Sequence, residues 1–230
     1  YASDLSFANL ELALRNHLIK QLQKVKLISP QGVQGFMKAM LAKYDILVIQ
    51  TVARSLATQG TITSDVLHRT ELFSKEFITK RSHTLEDLRD ELKGTTYENI
   101  INKHYQDIQK NQLKAFEQEL DMLYFKKLLS RANNPNSKGY AKRLIDAHNI
   151  AQANKGEETL IPGGRIPAQE LAAATTVQQR AEIATEHGYK ITEDQDEELL
   201  ERDMQINIKN YAKQQLKKEP LSPASIIGFV

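Results

Sequence analysis

The chain has no cysteine and no tryptophan, and among its 230 residues only six are proline and ten are glycine. Without cysteine there is neither a disulfide framework nor a thiolate for catalysis or metal binding. So few helix breakers leave long stretches free to coil, which favours helices over strands. Long apolar runs are missing too: Ile46-Leu47-Val48-Ile49, the richest stretch, is closed by Asp45 and Gln50. A membrane-spanning helix requires roughly 18 consecutive apolar residues. No basic-then-apolar leader opens the chain, so a cytosolic location is expected. A charge excess is also lacking. Lys and Arg total 31 against 29 acidic residues, a formal charge of +2, which gives no global pull toward nucleic acid or lipid. Chemistry-bearing motifs are absent in turn: no Gly-x-x-x-x-Gly-Lys-Ser/Thr cradle, no Gly-x-Ser-x-Gly elbow, and His83 with Glu86 lacks a third metal ligand. No catalytic residue, cofactor site or metal site is therefore expected.

What is present is helical periodicity. Leu113, Phe116, Leu120, Leu123, Tyr124, Phe125 and Leu128 form one apolar stripe. Phe7, Leu10, Leu14, Leu18, Leu22 and Val25 trace another, which ends where Ser29-Pro30 disfavours further helix. A third helix opens near Gln31, carries Val33, Phe36, Met37, Met40, Leu41, Tyr44, Val48 and Val52, and stops by Gly60. Further helices are expected over 63–80 and 84–93, the latter opened by Thr84-Leu85-Glu86-Asp87 and stopped at Lys93-Gly94. No segment alternates apolar and polar residues between hairpin turns, so the fold class is all-α. Asn133 to Ser137 reads as a breaker, and Ile161-Pro162-Gly163-Gly164 as a loop suited to φ > 0.

Laid against itself, the chain repeats. Leu10-Glu11-Leu12-Ala13-Leu14 recurs as Phe116-Glu117-Gln118-Glu119-Leu120 and as Leu200-Glu201-Arg202-Asp203-Met204. Each is followed by a proline break, at Ser29-Pro30, Asn134-Pro135 and Ser222-Pro223. The next helix carries Tyr44-Asp45-Ile46-Leu47-Val48-Ile49 with Arg54 in one copy, and Ile145-Asp146-Ala147-His148-Asn149-Ile150 with Lys155 in the other. Gly60-Thr61-Ile62-Thr63 and Gly164-Arg165-Ile166-Pro167 then close each copy, 104 positions apart (164 − 60). The third copy stops within Ser225 to Val230. This divides the chain into 1–111, 112–198 and the start of a third unit at 199–230, which breaks off at its end.

Asp45 and Asp146 lie in apolar helix segments, where a carboxylate is costly unless paired or hydrogen-bonded. They are expected to fix helix to helix, with Arg54, Lys155 or backbone amides as partners. Glu11, Glu117 and Glu201 read as solvated neighbours of an apolar stripe. Lys20, Lys24, Lys26 and Lys213, Lys217, Lys218 read as solvated basic faces. Glu193 to Glu198 reads as the acidic first turn of a helix.

These motifs, in this order, resemble the C subunit of the V/A-type (archaeal and bacterial) rotary ATPases, the relative of the d subunit in eukaryotic vacuolar ATPases. The carriers are the Tyr44-Asp45-Ile46 box, the Leu92-Lys93-Gly94-Thr95-Thr96-Tyr97 segment, read as a helix, and Phe116-Glu117-Gln118-Glu119-Leu120-Asp121 running on to Tyr124-Phe125. Asp146-Ala147-His148-Asn149-Ile150 and Ile161-Pro162-Gly163-Gly164 complete the set. Val48 departs from the asparagine usual in the first box, and family members are longer, so the resemblance implies a fold incomplete here at both ends. The resemblance implies three similar helical domains around a pseudo-threefold axis, a funnel on the cytoplasmic face of the membrane. It implies a non-catalytic coupling role in ATP-driven proton or sodium transport or ATP synthesis. For the two lysine patches it implies contacts with acidic subunits or anionic headgroups in place of solvated faces. The partners would be the central-shaft subunits and the membrane rotor ring, with no nucleic acid and no small-molecule substrate. A helical-repeat scaffold for other partners is the alternative.

Overall fold

The computed structural model describes residues 7–58, 70–80, 82–193 and 196–218, with only the backbone for 7–9, 11, 12 and 216–218. Outside lie the Gly60 to Thr63 turn, Ser222-Pro223, Ser225 to Val230 and the side chains of Glu11, Lys217 and Lys218. All regular structure among the described residues is α-helical. The chain divides into two units, Tyr1–Tyr124 and Phe125–Val230, and the division falls inside helix α7, Lys114–Arg131.

The first unit is built on α1 (Phe7–Ile28) and α2 (Gln31–Ala57). They separate at Pro30, which has no N–H to continue α1 and whose carbonyl instead starts α2, accepting from Val33 and Gln34. Helix α2 is the central element: α1, α4 (Leu85–Glu91) and α6 (Tyr105–Gln109) all pack against it. Accordingly Phe36, Met37, Ile46, Val48, Ile49 and Val52 are buried around more than one face. Helices α3 (Lys75–Thr79) and α5 (Glu98–Lys103) complete the unit with the first part of α7.

In the second unit α8 (Pro135–Asn154) takes the central place, against α9 (Ala168–Ala173) and α11 (Glu197–Lys218), with α10 (Val177–Glu186) against α9 and α11. Asn134 caps α8 by accepting from Ser137 N at 2.8 Å, with Ser137 answering in a reciprocal box and Pro135 inside the first turn. The breaker at 133–137 is thus a helix start. Phe116, Leu120, Tyr124, Phe125 and Leu128 of α7 are all buried, as their spacing predicts. Each fully buried Phe or Leu stabilises by roughly 1.5–3 kcal/mol.

Three expectations need correction, and four short helices were not foreseen. In α1 the buried residues are Ile19 and Leu22, while Leu10 and Leu14 are exposed; apolar spacing marks a stripe but does not say how much of it finds a partner. Of the helix expected over 63–80, the described part is helical only at Lys75–Thr79, because Ser74 caps there by accepting from Phe77 N. Leu92 to Tyr97 is a turn, not a helix: Gly94 takes φ +75°, and the Thr95 hydroxyl accepts from Tyr97 N. The short helices α5, α6, α9 and α10 were not anticipated, since five to ten residues show too few turns to establish a period.

Candidate functional site

Asp146 and Asn149 stand one turn apart on α8, and both are fully buried. Together they hold the loop at 161–166. Asn149 donates from Nδ2 to the Ile161 carbonyl and accepts from Ile161 N, each at 2.8 Å, so its amide pairs with the backbone as another strand would. Asp146 accepts from Arg165 N at 2.9 Å, from Ile166 N at 3.2 Å and from the Tyr189 hydroxyl at 2.5 Å. Both carboxylate oxygens are therefore occupied. Burial pushes the Asp146 carboxyl above the usual range, against the pull of those three donors. The loop glycines serve different purposes. Gly163 takes φ +97°, and Gly164 lies so close to Asp146 that a Cβ there would overlap the carboxylate. The Asp-x-x-Asn box and the Ile-Pro-Gly-Gly loop, separate signals in the sequence, are one device.

Half of that device recurs in the first unit. Asp45, on α2, is close enough to Tyr97 that its charge adds to the burial holding the Tyr97 hydroxyl protonated. Tyr189 is held protonated by the same two causes, burial first and then Asp146. The tyrosines are 92 positions apart (189 − 97), as are Thr84 and Thr176 (176 − 84), which cap α4 and α10 with the same reciprocal box. Tyr189 was missed in the sequence, although this shared offset pointed to it. Val48, where the second copy has Asn149, is buried and apolar, so no amide clamp exists at that position.

Arg54 does not pair with Asp45. Its Nε and Nη2 reach the two oxygens of Glu117 at 2.6 and 2.8 Å, a bidentate bond from α2 to α7. Asp146 likewise takes no help from Lys155, an exposed residue that ends α8 as its C-cap. Nor is Glu117 merely solvated, and Glu201 follows suit by accepting from Asn154 Nδ2 at 3.2 Å. Two residues on, Glu119 accepts from Lys103 and His104, and Asp203 accepts from Thr192 N and Oγ1. In each unit, then, the apolar-Glu helix is tied by two successive carboxylates to the segments preceding it.

Asp121 lies one turn beyond Glu117, and its carboxyl is pushed up to about 6, by burial first and then by the Glu117 charge. A hydrogen bond with buried Gln50 and the charges of Lys43 and Arg54 act the other way. The linkage sign follows: with a folded value above the unfolded one, the native state binds the extra proton, so this residue's cost disappears as pH falls from about 6 toward 4. The stability difference between Asp121→Asn and the parent, measured by urea unfolding from pH 7.5 to 4.5, is expected to favour the variant by about 1 kcal/mol at neutral pH. It is expected to shrink to zero in acid. A difference that does not change with pH would refute the assignment.

The remaining sequence candidates stay apart. His83 is buried against the Phe77 ring at 4.4 Å, whereas exposed Glu86 accepts from the Tyr105 hydroxyl. Among the described residues no three His, Asp or Glu side chains gather to hold a metal ion, and no helix is long and apolar enough to cross a membrane. Lys20, Lys24 and Lys213 are exposed, and Lys26 pairs with Glu71 at 2.6 Å. Asp196, within the acidic stretch, accepts from Leu199 N at the start of α11, while Asp194 and Gln195 lie outside the described residues.

Sequence relatives align with this chain at about a quarter identity, two of the three along nearly its whole length. The family model described as the ATP synthase (C/AC39) subunit matches residues 2–230. The chain is 24% identical to the C subunit of the A-type ATP synthase of Pyrococcus furiosus, over 98% of its own length and 68% of that protein's. With that of Pyrococcus horikoshii it shares 26% identity over 68% of this chain and 46% of the relative. With that of Thermococcus kodakarensis it shares 24% over 99% and 68%. No solved structure matches.

Proposed function

The chain belongs to the ATP synthase (C/AC39) subunit family, and on that premise we propose that it couples the central shaft of a V/A-type ATPase to the membrane rotor ring. It is an accessory, non-catalytic subunit that passes torque between the nucleotide-hydrolysing head and proton or sodium transport. The observation that carries this reading is the Asp146–Asn149 clamp on loop 161–166. Its donors and acceptors are engaged with each other. A buried, fully paired polar network stiffens the packing it joins, which torque transfer requires. The recurring carboxylate ties of α7 and α11 serve the same end.

In this reading the protein is peripheral, at the cytoplasmic face, with the shaft subunits and the ring as partners. Its three-unit division, at 1–111, 112–198 and 199–230, follows a pseudo-threefold arrangement. The test is co-purification from detergent-solubilised membranes. Shaft and ring subunits are expected to be recovered with this chain, which alone hydrolyses no ATP. Recovery of neither refutes the proposal.

A further inference from the structure

The second unit brings two arginines together, near the Asp146 charge but with no salt bridge to either arginine among the described residues. Arg143 projects from α8 with its guanidinium 3.8 Å above the Tyr211 ring of α11, and Arg165 lies 5.3 Å over the Tyr189 ring. Both are half-buried. Burial, with the neighbouring Arg165 charge, makes the Arg143 cation harder to hold. The stacking is built in: Gly139 leaves room for the Tyr211 hydroxyl, which a Cβ would overlap, and Arg143 Nη1 donates to the Gly139 carbonyl at 3.0 Å. Asp146, the carboxylate nearby, is already taken by two backbone amides and the Tyr189 hydroxyl.

The first copy of the repeat has neither arginine. Counting from Asp45 and Asp146, Arg143 corresponds to buried Ala42; counting from Gly60 and Gly164, Arg165 corresponds to Thr61. The first unit thus brings Asp45 to Tyr97 with neither arginine. A pair of stacked guanidinium forks, partly desolvated and with the neighbouring carboxylate already engaged, is a costly arrangement to keep without an anion to receive.

We propose that Arg143 and Arg165 form a docking point for a carboxylate side chain of a protein partner. The planar forks match a carboxylate bidentately. The neighbouring Asp146 favours a single-charged group over a phosphate dianion, since two cations beside one carboxylate leave little charge for it. The coupling reading enters only in identifying the partner as a shaft subunit; the carboxylate docking stands on the geometry.

Titration calorimetry on the full chain at rising salt tests this with two protein probes, purified shaft subunits and a capped, glutamate-rich helical peptide, and with inorganic phosphate. The wild type is expected to bind both protein probes, and R143Q/R165Q to bind each roughly tenfold or more weakly with a flatter salt dependence. R143K/R165K, which keeps the charges and loses the forks, should fall between; if R143Q/R165Q does not fold, the lysine variant carries the test, and wild-type affinity in it overturns the inference. Equal affinity of wild type and R143Q/R165Q for both probes overturns it, as does a wild type that binds neither. Binding of inorganic phosphate that the substitutions abolish, with both protein probes unaffected, also overturns it in favour of a small-anion site. Peptide binding lost in R143Q/R165Q, with no shaft binding by the wild type, supports the docking point and refutes the coupling reading alone.

Discussion

Asp146→Ala is expected to destabilise the protein by about 3–5 kcal/mol, the largest effect of any polar substitution described. The substitution removes one acceptor and strands three donors, Arg165 N, Ile166 N and the Tyr189 hydroxyl. Each buried donor left without an acceptor costs about 1–3 kcal/mol. Burial already raises the Asp146 carboxyl, so the charge itself is held at a cost, and removing it offsets part of the loss. That offset is smaller than the effect of three stranded donors. Asp146→Asn is expected to lose less than the alanine variant, because its amide oxygen can still accept from Arg165 N and the Tyr189 hydroxyl, which share Oδ2, leaving only Ile166 N to face the amide nitrogen. Urea unfolding at pH 7 reads the loss, and hydrogen exchange at the Arg165 and Ile166 amides locates it. A loss below about 1 kcal/mol, with those amides still protected, would show that the loop does not depend on the carboxylate.

Gly164→Ala is expected to cost about 2–4 kcal/mol by the opposite route, adding an atom where there is no space. Its Cβ would overlap the Asp146 carboxylate and press on Ile145 Cγ2 at 3.4 Å. Asp146 is not a flexible side-chain tip that can swing aside, since three donors hold it. Either the loop withdraws and loses those bonds, or the carboxylate turns and does the same. Gly32→Ala, in α2 with nothing within 4 Å of the added Cβ, is the control, expected to stabilise by roughly 0.4–1 kcal/mol. The two site substitutions share one cause and should not add: in the Asp146→Ala background, Gly164→Ala is expected to lose most of its cost. Additive losses in thermal or urea unfolding would mean that glycine is required there for some reason other than the carboxylate.

Several of these features are legible in the chain alone. The Ser29-Pro30 and Asn134-Pro135 breaks, the stripe of α7 and the Thr84 start of α4 follow from local rules of periodicity, proline geometry and capping. The boxes around Asp45 and Asp146 and the Gly163-Gly164 loop are visible as recurring motifs. Their partners are not. Arg54 stands in the same helix as Asp45 and suggests itself by proximity, yet it spans to Glu117, 63 positions away. Proximity along a chain is a poor guide for a side chain long enough to reach another helix. Tyr189 lies 43 positions from Asp146, just past the turn that ends α10, with no periodicity to draw attention to it.

The all-helical class, the long helices and the breaks between them are written into the amino-acid order, because they rest on composition and on interactions between neighbours in the chain. The meeting of Asp146, Asn149, Gly164 and Tyr189 is not, and neither is the approach of Arg143 to Arg165. Those facts depend on which faces pack, and a buried carboxylate takes whatever donors the packing brings within about 3 Å, wherever they lie in the sequence.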